Sequence, residues 1–456
     1  EENNIYIFTF YNDYFLWKER FIRVSFSRKS YCKKARKLFS VKLMTYFTYS
    51  KDTLVAEDVE IRKIANSRAT PFYCYSKKAI MDNYNNFKNS FKNTNVKICF
   101  SLKSNSNLSI LNVLSNLGAG ADVVSEGEFK KALKANMKAS DIVFSGVGKT
   151  DDEISYAIKN QCLQINVESI SELKKIDTIA GKTGDKQKVA LRINPDVDAN
   201  THGKITTGKI ENKFGISTSD AFEIFKDYNQ YENITLDGIA FHIGSNIQEI
   251  GPFEDSFKTT NELIKNLNDI NIPIKTIDVG GGVGIENISF SYSEYSNLIS
   301  KYFDPKNNQI IIEPGRSISA NTGILVSKII YLKKTDDRKF IIIDAGMNDW
   351  MRAALYDAQH EIIPLEKTNS KDSIETMIVG PICETTDQFT STKDYFEVKE
   401  GEYVAILNAG AYGSSMSSNY NVRPLLEEVM IDGNEYYKIR NRQKFEDLVS
   451  DEINID

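Results

Sequence analysis

Two parts of this chain could do chemistry if a fold brought them together. Lys103 lies in the apolar run ICFSL. Desolvation there would lower its ammonium pKa and make a solvated charge into a candidate Schiff-base lysine. Gly280, Gly281 and Gly282, with Gly315, leave backbone N–H groups open to an anion that side chains would block. Ser245 and Arg316 add a hydroxyl and a cation to that set. The bland alternatives are a surface lysine and a glycine triplet serving a tight turn.

The elements that must position these residues are read from periodicity. From residue 96 a short apolar run rich in β-branched residues alternates with a stretch of helical period. Eight such runs are found: 96–101, 121–125, 141–146, 163–168, 188–193, 236–243, 274–280 and 309–315. Between them, segments such as SEGEFKKALKANM and TDDEISYAIKN read as amphipathic helices with Ser, Thr or Asp at their N-caps. Eight repeats of this length predict an α/β fold, a (β/α)8 TIM-type barrel, with a doubly wound open sheet as the alternative. The dinucleotide fingerprint of the latter is missing, because GGGVGI ends in Ile285 where a glycine is needed. GVGKT (146–150) resembles the end of a phosphate-binding loop, but Val143 replaces its first glycine, so it reads as a plain turn.

A barrel carries its active site at the C-terminal ends of the strands, and the loops after strands seven and eight are where barrels commonly bind phosphate. Lys103 follows the first run, His242 to Asn246 closes the sixth, the glycines close the seventh, and Glu313 to Arg316 closes the eighth. Glu313 suits an ion pair at the mouth. If the anion belongs to a phosphorylated pyridine, it suits the ring nitrogen, where a carboxylate keeps the nitrogen protonated and the ring an electron sink. His242 fits a core position or the face of such a ring. After Arg316 short strands dominate, with one helix near 349–357, which predicts an all-β sandwich or barrel domain. The expected organisation is a basic extension over 1–43, strands over 44–77 that join the C-terminal domain, a barrel over 78–320 and a β domain over 321–456.

FSLKSN (100–105), FHIGSN (241–246), DVGGGVG (278–284) and EPGR (313–316) resemble the pyridoxal-phosphate motifs of the fold-type III, alanine-racemase-like decarboxylases. MRAALYDAQH (351–360), GPICETTD (380–387) and NAGAYGSSMSSNYN (408–421) are similar to the diaminopimelate decarboxylase family, which completes lysine biosynthesis. The resemblance runs from about Met44 to the C-terminus. It implies decarboxylation of meso-2,6-diaminopimelate to L-lysine and carbon dioxide, with Lys103 carrying pyridoxal phosphate and His242 stacked on its ring. It assigns Ser245, Gly280, Gly281, Gly282, Gly315, Arg316 and Tyr412 to the cofactor's phosphate end, and Glu313 to its ring nitrogen. Arg316, Arg352, Tyr356 and Tyr412 would bind substrate, Glu384 its distal ammonium, and Cys383 would donate a proton. The last two would act in the partner subunit's site, which implies a homodimer with composite sites. Arg352 and Tyr356 are four apart, which by itself places them on one helix face. Three departures from the family pattern, Ser104, Ala353 and Thr385, remove no reacting group.

Composition narrows the alternatives. With 41% hydrophobic and 26% charged residues and no run of eighteen apolar residues, neither disorder nor a membrane-embedded body is expected. Residues 1–43 hold ten Lys/Arg against four Asp/Glu, so the remainder of the net −5 leaves residues 44–456 at −11. An acidic body disfavours nucleic acid as a partner. The five cysteines are scattered and form no CxxC pair, which fits free thiols in the cytoplasm and no metal site. The basic leader reads as an appendage before a start at Met44, with an organellar targeting segment as the other possibility. His360 is expected to be exposed, and His202 lies in a 194–215 loop with no assigned role. The rival functions are decarboxylation of ornithine, arginine or carboxynorspermidine, a catalytically silent homologue, and a cofactor-free Schiff-base aldolase.

Overall fold

The computed structural model describes residues 46–91, 95–198, 207 and 212–455, all within the compact unit Val41–Asp456. The 1–43 leader and His202 lie outside the described residues. Each of the eight apolar runs forms a parallel strand: β1 (Val96–Ser101), β2 (Gly120–Val123), β3 (Ile142–Phe144), β4 (Gln164–Val167), β5 (Gln187–Asn194), β6 (Ile234–Ala240), β7 (Thr276–Asp278) and β8 (Gln309–Ile312). Pairing runs in order around the ring, and β8 returns to β1 through Ile310↔Val96 and Ile312↔Ile98, so the barrel is closed. A two-residue strand, Ile216–Ser217, pairs with the end of β5.

The barrel forms locally for the reasons read from its sequence. Residues of β2, β3 and β4 are buried throughout, as expected of strands covered on both faces. The helices begin at side-chain caps: Ser125 accepts from Glu128 N–H, Ser169 from Glu172 N–H, and Thr150 and Ser291 form reciprocal capping boxes with Glu153 and Glu294. Their apolar faces supply Phe129, Ile154, Leu173 and Phe253 to one continuous core around the barrel.

The second region is a nine-stranded mixed sheet. Its long strand Gly323–Lys334 pairs antiparallel with Phe72–Ser76 through its first half and with Arg338–Ile343 through its second, while Tyr403–Ile406 pairs antiparallel along the edge opposite Phe72–Ser76. Phe72–Ser76 also pairs in parallel with Glu427–Asp432, so a strand from before the barrel lies inside the later sheet. The stretch expected to be all strand over 44–77 also contains a helix, Ile61–Ser67, whose Ile61, Ile64 and Ala65 are buried. They pack into a separate apolar cluster with Phe72, Ile324 and Val429. Over residues 395–401, Tyr395–Phe396 alone is extended in a sheet, paired with Lys371–Asp372. No helix among the described residues is long and apolar enough to cross a membrane.

Candidate active site

The end of β1 passes into a tight turn, Leu102–Ser104, which raises Lys103 into the barrel mouth. Strand register then decides its surroundings. Ser101 of β1 stands opposite Asp122 of β2, and this places Asp122 Oδ2 2.6 Å from Lys103 Nζ. Ser101 Oγ donates to the same oxygen at 2.7 Å, while Asp122 Oδ1 is buried without a hydrogen-bond partner among the described residues. Burial pulls the Lys103 ammonium down, but Asp122, Glu313 and Tyr412 together lift it above the ordinary lysine range. The lowered ammonium expected from an apolar flank is therefore corrected: desolvation is present, but nearby carboxylates outweigh it.

Glu313, at the end of β8, is buried and lies against Asp278 at the end of β7. Burial, Asp122 and Asp278 raise the Glu313 carboxyl well above its usual range, and burial raises Asp278 as well. Two buried carboxyls side by side hold a proton between them more readily than two charges. Asp278 is itself held by Asn166 Nδ2 and by Gly280 N–H, both donating at 3.0 Å. His242 accepts from Gly281 N–H at Nδ1, 3.2 Å away, so its ring is neutral with the proton on Nε2. Burial, Lys103 and Arg192 push its pKa well below the usual value.

The glycines are required by close approach. A Cβ on Gly281 would lie 2.1 Å from Glu313 O, and Gly282 has φ +104° with a Cβ position 2.4 Å from Gly244 O. Gly315 precedes the short helix Arg316–Ser319, and its own Cβ position meets Ser101 and Ser104 at 3.1 Å. Ser104, the departure from the family pattern, is accommodated: it is buried and donates to Ser101 O at 2.8 Å.

Two guanidiniums close the mouth. Arg316 donates to Ser245 Oγ at 3.2 Å, and its Cζ stands 4.8 Å from the centre of the Tyr412 ring. Arg352, on the helix Arg352–Tyr356, stands 5.7 Å from the same ring and 5.5 Å from that of Tyr356. Both arginines are more than nine-tenths buried, and each Nε is without a hydrogen-bond partner among the described residues. Among the described residues neither forms an ion pair. Burial and the neighbouring Arg316 lower the Arg352 pKa to about 10. Tyr412 adopts φ +56° and donates its N–H to Ser104 O at 2.7 Å, which ties the β domain to the barrel mouth.

Cys383 and Glu384 are placed elsewhere. Both are exposed, on the loop after the strand Glu375–Val379. Tyr420 OH donates to Glu384 Oε2 at 2.9 Å, Thr386 Oγ1 to Oε1 at 2.8 Å, and Cys383 N–H to Asn421 Oδ1 at 3.4 Å. No hydrogen bond or ion pair among the described residues links them to Lys103, His242 or Arg316. His360, expected to be exposed, instead packs edge-on against Trp350 at 4.7 Å with Nδ1 2.9 Å from Leu407 O. Sequence reasoning also missed Asp122, Asp278 and Asn166. The available signal was a polar residue inside an otherwise apolar strand run.

A closed parallel barrel with a lysine on its first strand end, a glycine cradle after the seventh and a buried carboxyl on the eighth defines a pyridoxal-phosphate enzyme. The chain belongs to the pyridoxal-dependent decarboxylases: the model of their pyridoxal binding domain matches residues 77–320. It is 42% identical to the diaminopimelate decarboxylase of Haemophilus influenzae over 89% of this chain and 98% of that one. The structure of Helicobacter pylori diaminopimelate decarboxylase complexed with L-lysine superposes with a TM-score of 0.81 at 40% identity, covering 86% of this chain and 98% of that one. That of the M. jannaschii enzyme in complex with L-lysine gives 0.83 at 34% identity, covering 90% and 98%.

The residues present fit pyridoxal phosphate. The backbone at Gly281 and Gly282 leaves room that any side chain would fill. Arg316 Nε and Asp122 Oδ1 are buried polar atoms without hydrogen-bond partners among the described residues, and Glu313 holds a raised carboxyl in the barrel. Among the described residues there is no cluster of His, Cys, Asp or Glu arranged for a metal ion.

Proposed function

We propose that this chain decarboxylates meso-2,6-diaminopimelate to L-lysine and carbon dioxide, with pyridoxal phosphate as its cofactor. The observation that carries the substrate assignment is the pair of buried guanidiniums, Arg316 and Arg352, with no carboxylate paired to either among the described residues. Buried charges are otherwise paired, so the site is built for an anionic ligand. A carboxylate bound there satisfies Arg352 and Tyr356, and Tyr412 forms the wall shared by both arginines.

When bound, the cofactor supplies an electron sink for the electron pair left by the departing carboxylate. Lys103 would hold it covalently through Nζ, with Asp122 beside it to keep a proton at that nitrogen. His242, neutral and fixed by Gly281 N–H, would lie on the ring face without adding charge. Glu313 would hold the proton on the ring nitrogen, and Asp278 would brace that carboxyl. Ser245, Gly280, Gly281, Gly282, Gly315, Arg316 and Tyr412 would hold the phosphate.

Cys383 would return a proton to the reacting carbon, and Glu384 would pair with the distal ammonium, both in the site of a second copy of the chain. Their exposure, together with the three hydrogen bonds that fix them, supports this homodimer. Ornithine and lysine lack the distal carboxylate, so they would leave a buried cation unpaired. Free thiols at Cys74, Cys99, Cys162 and Cys383 support a cytoplasmic location. Turnover of meso-diaminopimelate by wild type and Cys383→Ala tests the proton assignment. A loss of at least about 100-fold is expected for a general acid, and unchanged turnover would refute it.

A further inference from the structure

The loop that carries Cys383 and Glu384 is closed by a residue with no part in the chemistry above. Asp387, at the far end of GPICETTD, is only 3% exposed and turns its carboxylate back onto the loop's start. Oδ2 accepts from Ile382 N–H at 2.7 Å, and Oδ1 accepts from Met347 N–H at 2.6 Å. The backbone repeats the closure: Gly380 N–H donates to Asp387 O at 3.0 Å and Asp387 N–H to Glu384 O at 3.1 Å. A Cβ on Gly380 would lie 2.4 Å and 2.6 Å from the two carboxylate oxygens, so glycine is what lets the carboxylate seat.

Met347 belongs to the turn in which Asp349 and Trp350 N–H groups donate to Gly346 O, and this turn leads directly into the helix Arg352–Tyr356. One buried carboxylate thus joins the segment carrying Arg352 and Tyr356 to the loop carrying Cys383 and Glu384. Thr386 reinforces the junction, with its Oγ1 on Glu384 Oε1 and 3.6 Å from Met347 Sδ.

We propose that Asp387 is a positioning residue, whose carboxylate sets the Cys383–Glu384 loop and holds it in fixed relation to the Arg352 helix. This rests on the assignment of Cys383 and Glu384 to substrate. Hydrogen bonds to an ionised acceptor are the strong ones. In a homodimer the two tethered segments serve different sites, so a shift at one is carried to the other. Misplacement of a reacting group by about 1 Å costs on the order of 100-fold in rate.

The test uses the cofactor-loaded enzyme. Asp387→Asn turns an amide N–H toward one of the two N–H donors, and Gly380→Ala wedges the carboxylate from the opposite side. Both variants are measured beside Cys383→Ala and Glu384→Gln for kcat and KM, visible cofactor absorbance and the rate of Cys383 alkylation by iodoacetamide. Asp387→Asn and Gly380→Ala are each expected to lose roughly 10- to 100-fold in kcat/KM. They should keep cofactor absorbance near wild type and shift the alkylation rate at least about threefold, and the double variant should be no worse than the singles, as for groups acting as one unit. Wild-type turnover in both would overturn the inference, and so would loss of cofactor in both, because the role would then belong to the fold. If Cys383→Ala and Glu384→Gln are themselves silent, the underlying assignment falls and the inference with it. If those two are impaired while Asp387→Asn and Gly380→Ala are not, the inference alone falls.

Discussion

Replacing Asp122 with asparagine should change the chemistry of Lys103 while leaving its place in the barrel intact. The two groups are 2.6 Å apart, and Asp122 is completely buried. Burial alone would lower the ammonium pKa, and it is the carboxylates, Asp122 foremost, that reverse the sign. An opposite charge at this range is worth about 1–3 pKa units, so taking 2 units the substitution removes about 2.7 kcal/mol of stabilisation of the charged form. The Lys103 pKa then falls, and at pH 8 the fraction present as free amine rises about 100-fold. Competitive acetylation of the cofactor-free protein, followed by peptide mass spectrometry across pH 6–10, reads this directly. The wild-type rate should still be climbing at the top of the range, and the Asp122→Asn profile should lie about 2 units to the acid side. Profiles that coincide within a few tenths of a unit would show that Asp122 does not hold the ammonium.

Two further outcomes follow from the same site. Arg352→Met should raise KM for meso-diaminopimelate so that kcat/KM falls at least about 30-fold, roughly 2 kcal/mol for a lost buried charge contact, with cofactor absorbance retained. Because Arg316 and Arg352 repel each other, the cofactor-free variant should melt no lower than wild type. Burial pulls the His360 imidazole down to about 4, below its unfolded value near 6.5, so the unfolded chain binds the extra proton between those limits. His360 therefore contributes stability that is fully present above pH 6.5 and lost as pH falls toward 4, by roughly 2–3 kcal/mol. Denaturant melts at pH 7 and 4.5 should show that loss reduced in His360→Asn, and an identical pH dependence in both proteins would contradict it.

The barrel was legible because its strands are largely buried and read as predominantly apolar runs, while the helices between them carry side-chain caps. The motifs at the strand ends were legible for a related reason: a barrel places all such ends on one rim, so Lys103, His242, Gly280 and Glu313 had to converge. The sign of the Lys103 shift was not legible. It depends on the register Ser101↔Asp122, a relation between strands that no single run of residues states. The insertion of Phe72–Ser76 between Gly323–Lys334 and Glu427–Asp432 is a pairing across some 250 to 350 positions and left no local trace. His360 looked like a solvated residue at a helix end, and its burial depends on Trp350 folding back against it.

The central claim is the substrate, and it is tested most directly by kcat/KM for carbon dioxide release from meso-diaminopimelate, ornithine, arginine, lysine and carboxynorspermidine under one set of conditions. The pair of buried guanidiniums, without a carboxylate partner among the described residues, predicts that meso-diaminopimelate is preferred by at least about 100-fold, the penalty for leaving a buried charge unpaired being several kcal/mol. Ornithine turned over as well as diaminopimelate, or better, would contradict it.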